Sequence, residues 1–419
     1  MLPFLLLLSC AAPAQTTLEH IAFIPSTQAD QLLGDSFTDL GDINNDGIAD
    51  FAVGSPTFQP ASGLGSGLVQ VFSGADRSLL YAIHPTAGVD NLLGKTLTTI
   101  GDVNQDGVLD FVIGCGWSAP AYMVSGIDGV RLTSIDTGSN GQFGMQIKSI
   151  GDLNGDALPE FAIGLPNETV AGNSSAGRIM IMNGATGLLI QEISGSSSFR
   201  WMGKSLCGPG DLNGDGVPDL LVNGADGSAF HSDGLTAISG ADFQPLYMRT
   251  RSDMRQRVID FAALGDVNGD SVNDFLITGY QDNTAEDWMQ GVTRIVSGSD
   301  GSSLKKIVGA KYEEFGRTVT TLGDVDGDGV IDFSTTAFHL NRGWQTRPVI
   351  EVFSGATGAK IGSAQTPSFN YFTVRAFALS DIDNDGRDEI VIGIPEHQVG
   401  ATPNGYLPGG ELHIFGHKL

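Results

Sequence analysis

The chain has three cysteines in 419 residues, and one of them, Cys10, stands in an apolar run at the N-terminus. So few exclude a disulfide-built scaffold. Cys115 and Cys207 lie in different repeats and are expected to be free, buried thiols. Basic residues are also scarce: 22 Lys and Arg face 48 Asp and Glu, for a formal charge of −26. That balance argues against nucleic acid as a partner, since phosphate binding needs clustered cations. No stretch carries apolar residues at sustained helical spacing, so a helical bundle is excluded. The apolar run Leu2–Leu8 is too short to span a bilayer.

Catalytic signatures are equally thin. There is no H-E-x-x-H and no G-x-S-x-G. Gly94-Lys95-Thr96 and Gly203-Lys204-Ser205 end like phosphate-binding loops, but Val89 and Ser198 stand where the earlier glycines are required. The seven histidines (His20, His84, His231, His339, His397, His413 and His417) are scattered without ligand spacing.

What is abundant is glycine, 58 residues, about twice the usual share, together with a repeated acidic loop. "GDVDGDGVIDF" from Gly323 packs four carboxylates into eleven residues, and six relatives of it begin at Gly41, Gly101, Gly151, Gly210, Gly265 and Ser380. Like charges at this density cost free energy unless a cation sits among them. Oxygen-only donors point to Ca²⁺, bound at up to seven sites. Position 1 of the loop is Asp42, Asp102, Asp152, Asp211, Asp266, Asp324 and Asp381. Position 3 is Asn44, Asn104, Asn154, Asn213, Asn268, Asp326 and Asp383. Position 5 is Asp46, Asp106, Asp156, Asp215, Asp270, Asp328 and Asp385. A backbone carbonyl is expected from position 7, namely Ile48, Val108, Leu158, Val217, Val272, Val330 and Arg387. Position 9 closes the shell with Asp50, Asp110, Glu160, Asp219, Asp274, Asp332 and Glu389. The loops hold 24 of the 48 acids, so the acidity is largely ligand; seven divalent ions would bring −26 to −12.

Helix-flanked calcium loops need an acid at position 12. That position is Val53, Ile113, Ile163, Val222, Ile277, Thr335 and Ile392, so a loop between two strands is expected instead. Position 6 is glycine in five loops but Ala157 and Ser271 in the third and fifth. A left-handed backbone there would cost about 1–2 kcal/mol, which marks these two sites as the weakest.

Each repeat, 50 to 60 residues long, carries four short apolar runs of strand character, such as "SFTDLGD", "DFAVGSP", "GLVQVFSG" and "SLLYAIHP". Four strands per repeat, none able to bury both faces alone, imply an all-β, seven-bladed β-propeller of four-stranded blades. The last repeat ends one strand short, whereas "LEHIAFI" from Leu18 is an orphan strand before the first. The N-terminal strand is therefore expected to complete the last blade, making residues 18–419 one closed domain.

This pattern resembles the FG-GAP repeats of the integrin α-subunit propeller and of bacterial exported proteins. The resemblance is carried by Phe143-Gly144 and Phe315-Gly316, by the loops, and by the triplets Gly54-Ser55-Pro56 and Gly164-Leu165-Pro166. It departs at Gln256-Arg257, in place of the FG pair, and at Thr336-Ala337-Phe338, in place of the triplet. It implies a non-catalytic recognition or adhesion module. The alternatives are a polysaccharide lyase or hydrolase on the same scaffold, and a structural envelope protein.

Residues 1–14 read as a secretory signal, although basic residues before Leu2–Leu8 are missing. "LLSC" resembles a lipoprotein box ending at Cys10, and "APA" ending at Ala14 offers ordinary cleavage instead. Membrane attachment is expected only through a lipidated Cys10, and the module is expected to be monomeric. A protein or glycan ligand is expected on the rim opposite the metal loops. That rim collects Trp117, Trp201, Trp288 and Trp344, with Tyr280, Tyr371, His339 and Tyr406, and the run Arg249, Arg251, Arg255 and Arg257.

Overall fold

The computed structural model describes residues 17–26, 32–60, 65–116, 120–135, 146–198, 201–223, 234–254, 256–281, 290–310, 315–340, 346–365, 374–395, 398–402, 405–408 and 410–418. The N-terminal segment with Cys10 and Ala14, and the pair Phe143-Gly144, lie outside these residues.

Seven four-stranded antiparallel sheets form the blades. Blade one runs from its inner strand Ser36–Gly41 through Asp50–Gly54 and Val69–Phe72 to the outer strand Leu79–Ile83. The second strand of blade one is buried throughout, as its unbroken apolar run requires, while the outer strand is partly exposed. The inner strands touch one another in cyclic order, and the circle closes where Ser36–Gly41 meets Arg375–Leu379. The hydrophobic core therefore lies between blades rather than within one. Leu40 and Val71 of blade one pack with Leu97 and Phe111 of blade two, and Phe37 and Phe51 with Val391 and Leu412 of blade seven.

Backbone contact between neighbouring blades is close enough to dictate glycine. A Cβ at Gly54, Gly164 or Gly393 would lie 2.1, 1.9 or 2.2 Å from the carbonyl oxygen of Gly94, Gly203 or Gly34, one blade on. The glycines of the FG-like and GAP-like positions are thus two halves of one inter-blade contact.

Blade seven has the strand order Thr17–Pro25, Glu411–Lys418, Glu389–Ile394, Arg375–Leu379. The N-terminal strand pairs antiparallel with the C-terminal one, from Thr17 opposite Lys418 to Pro25 opposite Glu411. The strands range more widely than the repeats suggest. Blade five opens with the ten-residue Gln256–Gly265, preceded by one helical turn, Arg251–Met254. Blade seven carries an extra hairpin, Gln398–Thr402 with Gly405–Pro408, between its second and third strands. Cys115 and Cys207 are buried and free. No helix among the described residues is long and apolar enough to cross a membrane.

Deleting residues through Ile24 removes the outer strand of blade seven and leaves Glu411–Lys418 paired on one side only. An unpaired, twisted edge and the loss of Ile24 from the core should cause aggregation or a large drop in melting temperature. A monomeric truncation that melts like the full chain would refute the closure.

Candidate metal centre

Each acidic loop joins the first and second strands of its blade, and its turns are set by backbone hydrogen bonds to the acids themselves. In the sixth loop Asp324 accepts N–H groups from Gly327 at 2.8 Å, Asp328 at 3.0 Å and Gly329 at 2.8 Å. Asp326 Oδ1 accepts the Asp328 N–H at 3.2 Å, and Asp328 Oδ1 the Val330 N–H at 2.9 Å. These bonds curl the chain so that positions 1, 3 and 5 face one point. Ligand atoms of Asp324, Asp326 and Asp328 lie within 4.8 Å of one another, as do those of Asp381, Asp383 and Asp385. Oxygens on a sphere about 2.4 Å from a calcium ion are at most about 4.8 Å apart, so the spacing fits. The first five loops carry Asn at position 3; Asn44 Oδ1 and Asn213 Oδ1 each accept the N–H of the position-5 aspartate at 2.9 Å. The curl is the same with one charge fewer.

Two backbone positions must be left-handed for this curl. At position 6, φ is +90° for Gly47 and Gly107, and the same region holds Ala157 at +68° and Ser271 at +67°. The strain expected of Ala157 and Ser271 is therefore present. Position 4 is also left-handed in every loop, including Asn45 at +62°, Gln105 at +62° and Asn384 at +63°. Asn and Gly at that position in six of the seven loops were the sequence signal for it.

The position-9 acids stand apart from these groups, beneath the loop and almost inaccessible. Asp332 Oδ2 accepts N–H groups from Val325 at 2.8 Å and Asp326 at 3.0 Å. Its Oδ1 accepts from Gly355, in the turn between the third and fourth strands, at 2.9 Å. Gly74, Gly126, Gly240 and Gly298 donate in the same way to Asp50, Asp110, Asp219 and Asp274. A Cβ on Gly355 would meet the Ile331 carbonyl oxygen at 1.9 Å, which explains the recurring Ser-Gly or Asn-Gly of that turn. In blade seven the chain ends and restarts instead of turning. Glu389 keeps the Ile382 N–H at 2.8 Å, but its Oε1 has no partner, nor has Asp385 Oδ2. Burial pushes Asp332 up to about 6 and Glu389 up to about 8, with neighbouring aspartates adding to the rise. A carboxyl so placed stays ionised at neutral pH when a cation is close. Orphaned acceptors, converging carboxylates and oxygen-only donors all suit Ca²⁺.

Of the aromatic and basic rim residues, Trp117, Trp288, Trp344, Arg255 and Tyr371 lie outside the described residues. Arg251 falls on the helical turn and Arg257 on the long inner strand of blade five. Trp201 is half-buried just before the inner strand of blade four. Arg249 Nε donates to the Gly301 carbonyl at 3.3 Å and Nη2 to that of Asp300. Its guanidinium thus lies against the strand-three to strand-four turn of the next blade.

Replacing Ala157 or Ser271 with glycine should relieve the left-handed strain, offset in part by a freer unfolded chain. The net gain expected is up to about 1 kcal/mol each in the Ca²⁺-loaded protein, read from denaturant midpoints. A loss of stability in both variants would contradict the strain.

The FG-GAP-like repeat family matches residues 152–222, and the FG-GAP repeat family residues 34–72. Over 203 residues the chain is 29% identical to integrin alpha-5 of Xenopus laevis and 31% identical to integrin alpha-V of Gallus gallus. Each match covers 44% of this chain and 19% of the relative, so the chain spans a small part of these proteins. Integrin alpha-4 of Xenopus laevis is 27% identical over 175 residues, covering 39% and 17%. The solved structure of BBS1N in complex with ARL6DN, soaked with lead, shares the fold alone. Its TM-score is 0.55 at 9% identity, over 96% of this chain and 97% of that one. The chain thus carries FG-GAP repeats at residues 34–72 and 152–222, within a closed seven-bladed β-propeller that resembles the integrin α chains.

Proposed function

We propose that this propeller is a Ca²⁺-stabilised, exported recognition or adhesion module for protein or glycan ligands, without catalytic activity. The observation that carries the reading is the division of labour between the two rims. One rim repeats the same curled loop seven times, with its buried acid tied back into the sheet in the first six blades. Such a rim has little variable surface with which to select a partner. The opposite rim is built from loops of unequal length, and loops on a rigid scaffold are where binding resides. The likeness to integrin α chains supports the same reading.

Within this reading, positions 1, 3 and 5 supply side-chain oxygens, position 7 a carbonyl, and the position-9 acid its remaining lone pairs. The sixth and seventh loops, with Asp326 and Asp383 at position 3, hold their ions most tightly. Export proceeds through residues 1–14, with either lipidation at Cys10 or cleavage after Ala14. A weak calcium site suits an extracellular setting, where the ion is plentiful.

Chelation by EGTA should lower the melting temperature sharply. Each site contributes about 2.7 kcal/mol at a hundredfold excess of Ca²⁺ over Kd, and several sites acting together make the loss cooperative. A melting curve that ignores EGTA would remove the metal from the account.

The two rims are separated by paired variants, with glycan arrays and pull-downs as the binding readouts. Trp288→Ala with Trp344→Ala should abolish binding while leaving Ca²⁺ content and melting unchanged. Asp328→Ala with Asp332→Ala should weaken the fold first and binding only in consequence. The opposite pattern would make the metal rim the contact surface.

A further inference from the structure

The inner strands begin at the end of the central channel opposite the metal loops, because each loop opens where its inner strand stops. At that end Asp35, Lys95, Lys148, Asp260 and Arg375, from five of the blades, line a cavity of about 230 Å³. Asp35 is buried and takes two cations: Lys95 Nζ at 2.6 Å and Arg375 Nη2 at 3.2 Å. Asp260 accepts the Phe261 N–H at 3.0 Å. Burial raises its carboxyl, against the opposing charges of Lys148 and Arg375. Lys148 is exposed to the cavity and forms no ion pair among the described residues. The cavity also has an apolar wall, where the rings of Phe37 and Phe377 stack at 5.3 Å.

The motif that ends like a phosphate loop is explained here. Gly94, Gly203 and Gly316 are left-handed, at φ of +83°, +84° and +77°, and each is followed by a cation just ahead of an inner strand. Lys95 reaches the mouth from blade two, and Lys204 and Arg317 hold the matching chain positions on blades four and six. Three cations meet two acids at this mouth, in a chain where acids outnumber bases 48 to 22. Asp35 is already shared by Lys95 and Arg375, which leaves Lys148 as the cation open to an entering anion.

We propose that this channel mouth binds a small organic carboxylate, with Lys148 as the cation that meets it and Phe37 and Phe377 as the wall for its carbon chain. The volume decides the size of the guest. Sites for drug-sized ligands begin at about 300 Å³, so this one accommodates a few carbons and their carboxylates. An inorganic anion would leave the apolar wall unused. The inference rests on the recognition reading in taking this face as the binding face.

The test is calorimetric titration of the full-length, Ca²⁺-loaded protein with succinate and, separately, with sulfate. Succinate should bind saturably, more tightly than sulfate and less tightly as salt is raised. Lys148→Gln should weaken succinate binding by about fivefold or more, the loss expected of one close charge-assisted contact. Lys148→Arg, which keeps the charge beside Asp260, should retain succinate binding, so that a loss in Lys148→Gln reports the missing cation. Lys305→Gln, on the exposed outer strand of blade five, should leave binding intact. Absence of succinate binding, equal binding of sulfate, or an unaffected Lys148→Gln would each overturn the inference. If succinate fails while an array or pull-down still captures a partner, the carboxylate site falls and the recognition reading stands.

Discussion

The structure depends on burying a carboxylate beneath each acidic loop. An isolated buried charge is costly, so each must be compensated on the spot. In blades one to six, main-chain N–H groups come from two places, the loop above and the turn that joins strands three and four. One side chain thereby fixes the loop to its own sheet. The constraint propagates into sequence: the turn donor must be glycine, because a Cβ at Gly74 would lie 1.8 Å from the Ala49 carbonyl oxygen. Position 10 is then driven into the core, where Phe51, Phe111, Phe161, Phe275 and Phe333 are fully buried. Truncating a core phenylalanine typically costs about 3–5 kcal/mol. The loop, the turn and the core are in that sense one unit repeated around the ring.

The second constraint acts between units. Neighbouring blades approach so closely at Gly54 and Gly94, Gly164 and Gly203, and Gly393 and Gly34 that no side chain fits. The last of these pairs spans the first and seventh blades, so the seam uses the contact found elsewhere in the ring. Closure is stabilised twice, by this contact at the inner strands and by Thr17–Pro25 pairing with Glu411–Lys418 at the outer edge.

Much of this was legible in the sequence, for a physical reason. A loop that must curl around one point leaves an aspartate at fixed offsets, so counting aspartates counted blades. The missing strand after "GELHIFGH" and the surplus strand at Leu18 could only be partners. The parts that were not legible depend on distance across the chain. That Asp332 spends its oxygens on Val325, Asp326 and Gly355 is a matter of tertiary approach, with the turn donor 23 residues away. The reach of Arg249 to Asp300, one blade on, likewise left no local trace. Lys95, Lys148 and Arg375 are separated by whole repeats and read singly as ordinary surface cations. Only ring geometry brings them to one cavity.

Blade seven shows how the two constraints interact. Its sheet is assembled from both ends of the chain, so no turn joins its third and fourth strands. The N–H that compensates the buried acid in the other blades is therefore missing, and Glu389 Oε1 is left without a partner. The same loop is also the most acidic, with Asp381, Asp383, Asp385, Asp388 and Glu389 in eleven residues. Repulsion among these groups and the burial of Glu389 both act against the folded loop unless a cation is present. The blade that closes the ring is thus the one whose loop gains most from a bound ion. The buried acid that lacks its turn donor and the seam that closes the ring meet in this one blade.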